Sequence, residues 1–195
     1  KPLYSVQDKE GEVALCTLSA VNLGAIDSLD ELEDITDIIV RSLDSLLDYQ
    51  DYPLKSAEIT SNNRRTLGIG VTNLAYYLAK NDAKYSDGSG NDLIHKTFEA
   101  LQYYSLKASN EIAEEFGPCP LFSETQYAKG IMPTDSYNKD IDEFCNTELE
   151  LDWDTLRKNI KAKGLRNSTL TALMPCESSS QISNSTNGIE PPRGF

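Results

Sequence analysis

The residues best placed to do chemistry lie near the end of the chain. There an apolar run, Leu170 to Met174, is stopped by Pro175 and followed by Cys176, Glu177 and three serines, Ser178, Ser179 and Ser180. This order predicts a short buried strand, a turn and the start of a helix. A helix start leaves backbone N–H groups without intrahelical acceptors, and together with the helix dipole they favour an anion such as phosphate. The same residues fit an ordinary serine N-cap with no ligand, and on this segment alone both readings stand. The stretch that follows, 184–195, is too poor in apolar residues for a core element. Its punctuation by Gly188, Pro191, Pro192 and Gly194 predicts a loop shaped around something.

Thiols are the other reactive groups. The cysteines are Cys16, Cys119, Cys145 and Cys176. None forms a CxxC pair, and His95, the single histidine, offers no second ligand at metal spacing. No metal site is expected from this set. Without a secretion signal at the start, free thiols in a reducing cytoplasm are expected. The default role of each cysteine is that of a small buried hydrophobe.

Bulk properties narrow the class. The chain has 195 residues, 39% apolar and 25% charged, enough for one domain with a sizeable core. A net charge of −13 argues against a nucleic-acid surface and against an anionic membrane. No stretch approaches the roughly 18 apolar residues of a membrane span. An acidic chain can still bind phosphate locally through backbone N–H groups.

The positioning elements follow from period and punctuation. The apolar run with small side chains over 12–26 predicts a buried strand and a close-packed loop. Ser28 and Glu31 have capping-box spacing, and Leu29, Leu32, Ile35, Ile38, Ile39, Leu43, Leu46 and Leu47 follow at helical spacing up to about 49–53. Gly68 and Gly70 invite a dinucleotide reading, but Asn73 stands where a third glycine belongs. A tight strand-to-helix junction, with the helix over 73–80, is the better account. A long helix is predicted over 93–116, ended by Gly117 and Pro118, with shorter ones over 125–129, 134–145 and 152–163, and Gly164 as the cap of the last. The tyrosine pairs Tyr76–Tyr77 and Tyr103–Tyr104 fall inside helices and are expected to pack. The expectation is therefore an α/β chain, helix-rich, with two or three strands.

Three segments together carry a family signal: Ala14-Leu-Cys-Thr-Leu-Ser-Ala-Val-Asn-Leu-Gly-Ala-Ile26, Arg64-Arg-Thr-Leu-Gly-Ile-Gly-Val71 and the stretch from Leu173 to Gly194. In this order they closely resemble the catalytic large (alpha) subunits of the class I ribonucleoside-diphosphate reductases, and the likeness covers essentially the whole chain. It implies part of a ten-stranded α/β barrel and reduction of ribonucleoside diphosphates to their 2′-deoxy forms by radical chemistry, supplying DNA precursors. In the family a thiyl radical removes the ribose 3′-hydrogen, and a further cysteine pair then reduces the sugar and becomes a disulfide. Cys16 matches one of that pair. Pro175, Cys176, Glu177, Ser178 and Ser179 match the loop that grips the substrate's phosphates. The family usually has a small hydroxylated residue where Cys176 stands, which leaves the backbone N–H as the expected contact there. The Glu177 carboxylate is expected to point away or cap the helix.

The resemblance also implies what lies elsewhere. The radical-bearing cysteine, the partner of Cys16, the allosteric ATP and deoxynucleotide sites, the large-subunit homodimer contact and the C-terminal tyrosine relay all match nothing in 1–195. The expectation is a partial catalytic barrel domain, incomplete at both ends, from a truncated or split polypeptide. By itself it is expected to be inactive and to depend on the remaining large-subunit segments. The implied partners of the complete enzyme are a metal-radical small subunit and a thioredoxin- or glutaredoxin-type reductant. A cobalamin-dependent reductase of the same barrel, and a non-catalytic nucleotide-binding remnant, are the alternatives.

Overall fold

The computed structural model of the protein describes residues 11–15, 17–146 and 148–192. Two parallel strands, β1 (Leu18–Asn22) and β2 (Gly68–Thr72), pair with Leu18 opposite Gly68 and Asn22 opposite Thr72. A third parallel segment touches the far side of β2 through a bridge between Ile69 and Thr171. The helices are α1 (Glu31–Tyr49), α2 (Lys55–Arg64), α3 (Leu74–Lys80), α4 (Asn91–Phe116), α5 (Trp153–Lys163) and α6 (Glu177–Ile182). No helix among the described residues is long and apolar enough to cross a membrane.

β2 is buried along its whole length, as the middle segment of three must be. Its glycines serve close packing rather than a dinucleotide. A Cβ on Gly70 would stand 2.5 Å from the Ala172 carbonyl oxygen and 2.8 Å from Met174 Sδ. This approach also corrects the strand expected over 170–174. The segment holds β2 only through Leu67 N–H to Thr169 O, Ile69 N–H to Leu170 O and Ala172 N–H to Ile69 O. Beyond Ala172 it makes no further backbone bond to β2 among the described residues, and Leu173 is 54% exposed.

α1 begins later than the capping-box spacing predicts, with Asp30 and not Ser28 as its N-cap, and only the Glu31 half of the box forms. The Glu31 carboxylate accepts the N–H groups of Asp27 and Ser28, each at 2.9 Å. The Ser28 hydroxyl takes the nearer Asp30 N–H instead of closing the reciprocal bond to Glu31. Leu32, Val40, Leu43 and Leu47 are buried against α4, whereas Ile38 and Leu46 face outward. Arg41–Glu115, at 2.7 Å, and Lys107–Glu33 bridge the two helices at the rim. α4 turns small residues inward, among them Ala100, Ser105, Ala108, Ser109 and Ala113, so neighbouring backbones approach closely.

The region between α4 and α5 is wound into 3-10 turns, not the α-helices expected over 125–129 and 134–145. Pro133 starts one turn, and the Asn138 side chain accepts the Asp140 N–H at 3.1 Å to start the next. Such local side-chain acceptors compete with a continuous helix. Asp135 is held against α5 by two bonds to Arg157, which depress its pKa to about 2, helped by the Met132 N–H. The predicted helix over 152–163 is present, capped by the Asp152 carboxylate and ended at Gly164, with φ of +84°.

Just before β2 and the third segment lies a largely buried ionic network centred on Asp44 of α1. Asp44 Oδ1 accepts Arg65 Nε at 2.6 Å and Asn167 Nδ2 at 3.0 Å, and Oδ2 accepts Arg166 Nε at 3.1 Å. Burial opposes the charge of Arg65, but its bonds to Asp48 and Asp44 hold its pKa above the ordinary value. Replacing Asp44 with Ala leaves Arg65 with Asp48 and Arg166 with the carbonyls of Phe116 and Gly117, but removes three charge-assisted bonds from one buried carboxylate. We expect this to cost about 1.5–3 kcal/mol, read by chemical denaturation; a loss below about 1 kcal/mol, the scale of an exposed pair, would show that the network carries little stability.

Candidate functional site

The parallel segments all end on the same side of the molecule, where loops of α/β barrels carry chemistry. There β1 ends at Asn22, β2 ends at Thr72, and the third segment runs through Pro175 into α6. The N–H groups of Glu177, Ser178 and Ser179 occupy the first turn of α6, where a helix has no acceptor of its own. All three residues, and Pro175, are exposed. The Ser179 hydroxyl donates to Cys176 O at 3.2 Å.

Cys176 behaves differently from its neighbours. It is 5% exposed, and its sulfur turns inward, 3.3 Å from Met174 O and 3.8 Å from Val71 O. Burial pushes its thiol pKa up, against a smaller opposing effect of Ser179. Its backbone N–H, expected to be free for a ligand, donates instead to Asn187 Oδ1 at 2.7 Å. The loop therefore offers the N–H groups of 177–179 and not that of 176. Glu177 lines a shallow groove of about 350 Å³ with Ser180, Gln181, Thr186, Asn187 and Glu190.

The returning loop is docked by asparagines that sequence reasoning passed over. Asn73, at φ +68°, heads α3. Its N–H donates to Thr186 O at 2.9 Å, its Oδ1 accepts the Thr186 N–H at 3.1 Å, and its Nδ2 donates to Asn22 Oδ1 at 2.9 Å. The available signal was an asparagine at a strand-to-helix junction, since asparagine tolerates the left-handed region.

Cys16 lies outside the described residues. Its neighbour Thr17 is buried, and Thr17 O accepts the Gly68 N–H at 2.9 Å. The tyrosine pairs are placed in helices, as expected. Tyr103 packs edge-on against Tyr104 and Trp153, each at a centroid distance of 5.4 Å, and Tyr77 is buried, but Tyr76 is 53% exposed. A separate apolar cavity of about 310 Å³, lined by His95, Phe98, Tyr137 and Trp153, shares no lining residue with the groove beside α6. Among the described residues no group of His, Cys, Asp and Glu could hold a metal ion.

Comparison with known proteins places these features. The family model of the ribonucleotide reductase barrel domain matches residues 4–194. The chain is 65% identical over 194 residues to the ribonucleoside-diphosphate reductase subunit alpha of Haemophilus influenzae, covering 100% of this chain and 26% of that protein. It is 61% identical over 195 residues to the protein of the same name from Buchnera aphidicola, again 100% of this chain and 26% of the relative. It is 66% identical over 149 residues to ribonucleoside-diphosphate reductase 1 subunit alpha of Escherichia coli, covering 76% of this chain and 20% of that one. The chain thus spans about a quarter of the length of the first two relatives.

Burial sets an order of thiol reactivity. Cys119 and Cys176 are buried and Cys145 is half-buried. With a neutral alkylating reagent at pH 8, Cys145 should be modified first among the described cysteines, and Cys119 and Cys176 only on unfolding, as read by peptide mass spectrometry. Equal rates at Cys145 and Cys176 would contradict the inward placement of the Cys176 sulfur.

Proposed function

The chain belongs to the ribonucleotide reductase barrel-domain family, and from that membership we propose that it forms part of the catalytic barrel of a ribonucleoside-diphosphate reductase large subunit. Its helices and parallel strands are one portion of an α/β barrel. The relatives' shared name favours this reading over the cobalamin-dependent alternative.

In this reading Pro175, Cys176, Glu177, Ser178 and Ser179 form the substrate's phosphate loop. The observation that carries it is the row of first-turn N–H groups at 177–179, on exposed residues set where the parallel segments end. A diphosphate seated there accepts those N–H groups and the Ser178 hydroxyl, without the basic patch that a chain of net charge −13 lacks. Cys176 contributes through the backbone it anchors, because its sulfur faces the interior.

Cys16 is the redox thiol of the proposal, paired with a cysteine on polypeptide outside this chain. Replacing the ribose 2′-hydroxyl by hydrogen takes two electrons and two protons. Two thiols supply them: the C2′–O bond breaks, water leaves, and the sulfurs join as a disulfide. A dithiol reductant of the thioredoxin or glutaredoxin class then restores the pair by exchange. The proposed setting is a reducing cytoplasm, with a radical-generating small subunit, a second large subunit and the rest of the barrel as partners. ATP and deoxynucleotide effectors would act on segments outside this chain.

Two substitutions in the complete enzyme test the proposal. Ser178→Asp puts a carboxylate among the phosphate-binding groups, at an exposed first-turn position where an acidic residue suits the helix dipole and does not threaten folding. We expect KM for the ribonucleoside diphosphate to rise at least about tenfold, or about 1.4 kcal/mol; an unchanged KM removes the loop assignment. Cys16→Ser should abolish turnover with a dithiol reductant, and unchanged turnover would instead fit a non-catalytic remnant.

A further inference from the structure

We propose that Asn187 is a positioning residue for the phosphate loop, and that it takes its own position from the ends of β1 and β2 through Asn73; the proposal rests on the reading that this loop holds the substrate's diphosphate. The Asn187 Oδ1 accepts the Cys176 N–H at 2.7 Å, which fixes the peptide plane leading into the free N–H groups of 177–179. Within α6 the Cys176 carbonyl accepts the Ser180 N–H at 2.8 Å, which orients the first-turn N–H groups relative to the helix. Where that six-residue helix aims them in the molecule is set by what anchors the loop before it.

That reference is traceable bond by bond. Asn187 follows Thr186, whose backbone is held on both its N–H and its carbonyl by Asn73. It precedes Gly188, whose carbonyl accepts the Leu74 N–H at 3.4 Å. Asn73 is 7% exposed, and its amide reaches Asn22 Oδ1, which also accepts the Gly24 N–H at 3.1 Å. Room for that amide depends on Gly24, where a Cβ would stand 2.3 Å from Asn73 Nδ2. The hydrogen bonds thus run from the end of β1, through the head of α3, to the loop before α6. The loop is registered to the sheet and not only to its own short helix. The inward Cys176 sulfur, against Val71 O and Met174 O, fixes the same residue from the opposite side.

A positioning role predicts a specific kinetic signature. Small displacements of preorganised groups weaken binding out of proportion to the bonds lost. In the complete large subunit, assayed with its small subunit, Asn187→Ala should raise KM for a ribonucleoside diphosphate about tenfold and change kcat by less than about twofold. Asn73→Gly keeps the left-handed backbone, loses the side-chain bonds to Asn22 and Thr186, and should shift KM in the same direction. KM within about twofold of the parent in both variants overturns the proposal. A fall in kcat or in folded protein, with KM unchanged, also overturns it by assigning both amides to stability. The Ser178→Asp enzyme separates the two levels of the argument. If its KM rises and that of Asn187→Ala does not, the positioning role fails while the loop assignment stands. If KM rises in none of them, the loop assignment fails as well.

Discussion

The buried carboxylate of Asp44 is the point at which α1, the entry to β2 and the entry to the third parallel segment are joined. Removing a carboxylate and two guanidinium groups from water costs several kcal/mol per ion. It is tolerated here because Arg65, Arg166 and Asn167 all donate to the same side chain. Asn167 also donates to Arg65 O and receives the Ser109 hydroxyl, so α4 is tied into the same knot. Arg65 stands at φ +47°, a turn that delivers the chain from α2 into β2. With the entries fixed, the apolar side chains of β2 have one place to go, and the exits of the parallel segments arrive together.

At those exits a second polar system, made of neutral amides, takes over. The division suits the chemistry. Charged donors at the entry lock stability, while at the exit side-chain amides hold loops without adding charge next to a proposed anion site. Asn22, Asn73 and Asn187 connect three loops that are far apart in the chain. Their arrangement leaves the N–H groups of 177–179 as the free ones and withdraws that of Cys176. A cysteine where the family usually has a hydroxylated residue is then a modest change, since its side chain packs inward.

Much of this was legible in the sequence because it is local. Leucines at helical spacing after Ser28 and Glu31, the Gly117–Pro118 stop after α4 and the Gly164 stop of α5 are decided within a few residues of themselves. What was not legible depended on distant partners. Asp44 and Asn167 read as ordinary polar residues, yet they are 123 positions apart and share a hydrogen bond. The apolar run at 170–174 reads as a strand, but its ladder to β2 stops after Ala172, where it lies close to the backbone of Gly70. The serines of 178–180 announce a helix start, whereas the amide that orients it, Asn187, lies in a loop with no periodicity to mark it. Family resemblance supplied the phosphate-loop reading; the geometry added which N–H groups are free to act.

The most direct measurement is a crystal structure of the complete large subunit with a ribonucleoside diphosphate bound. The account predicts phosphate oxygens about 3 Å from the N–H groups of Ser178 and Ser179, within ordinary hydrogen-bond distance, while the Cys176 N–H stays on Asn187. A diphosphate seated elsewhere in the barrel, with the first turn of α6 still open to solvent, would contradict it.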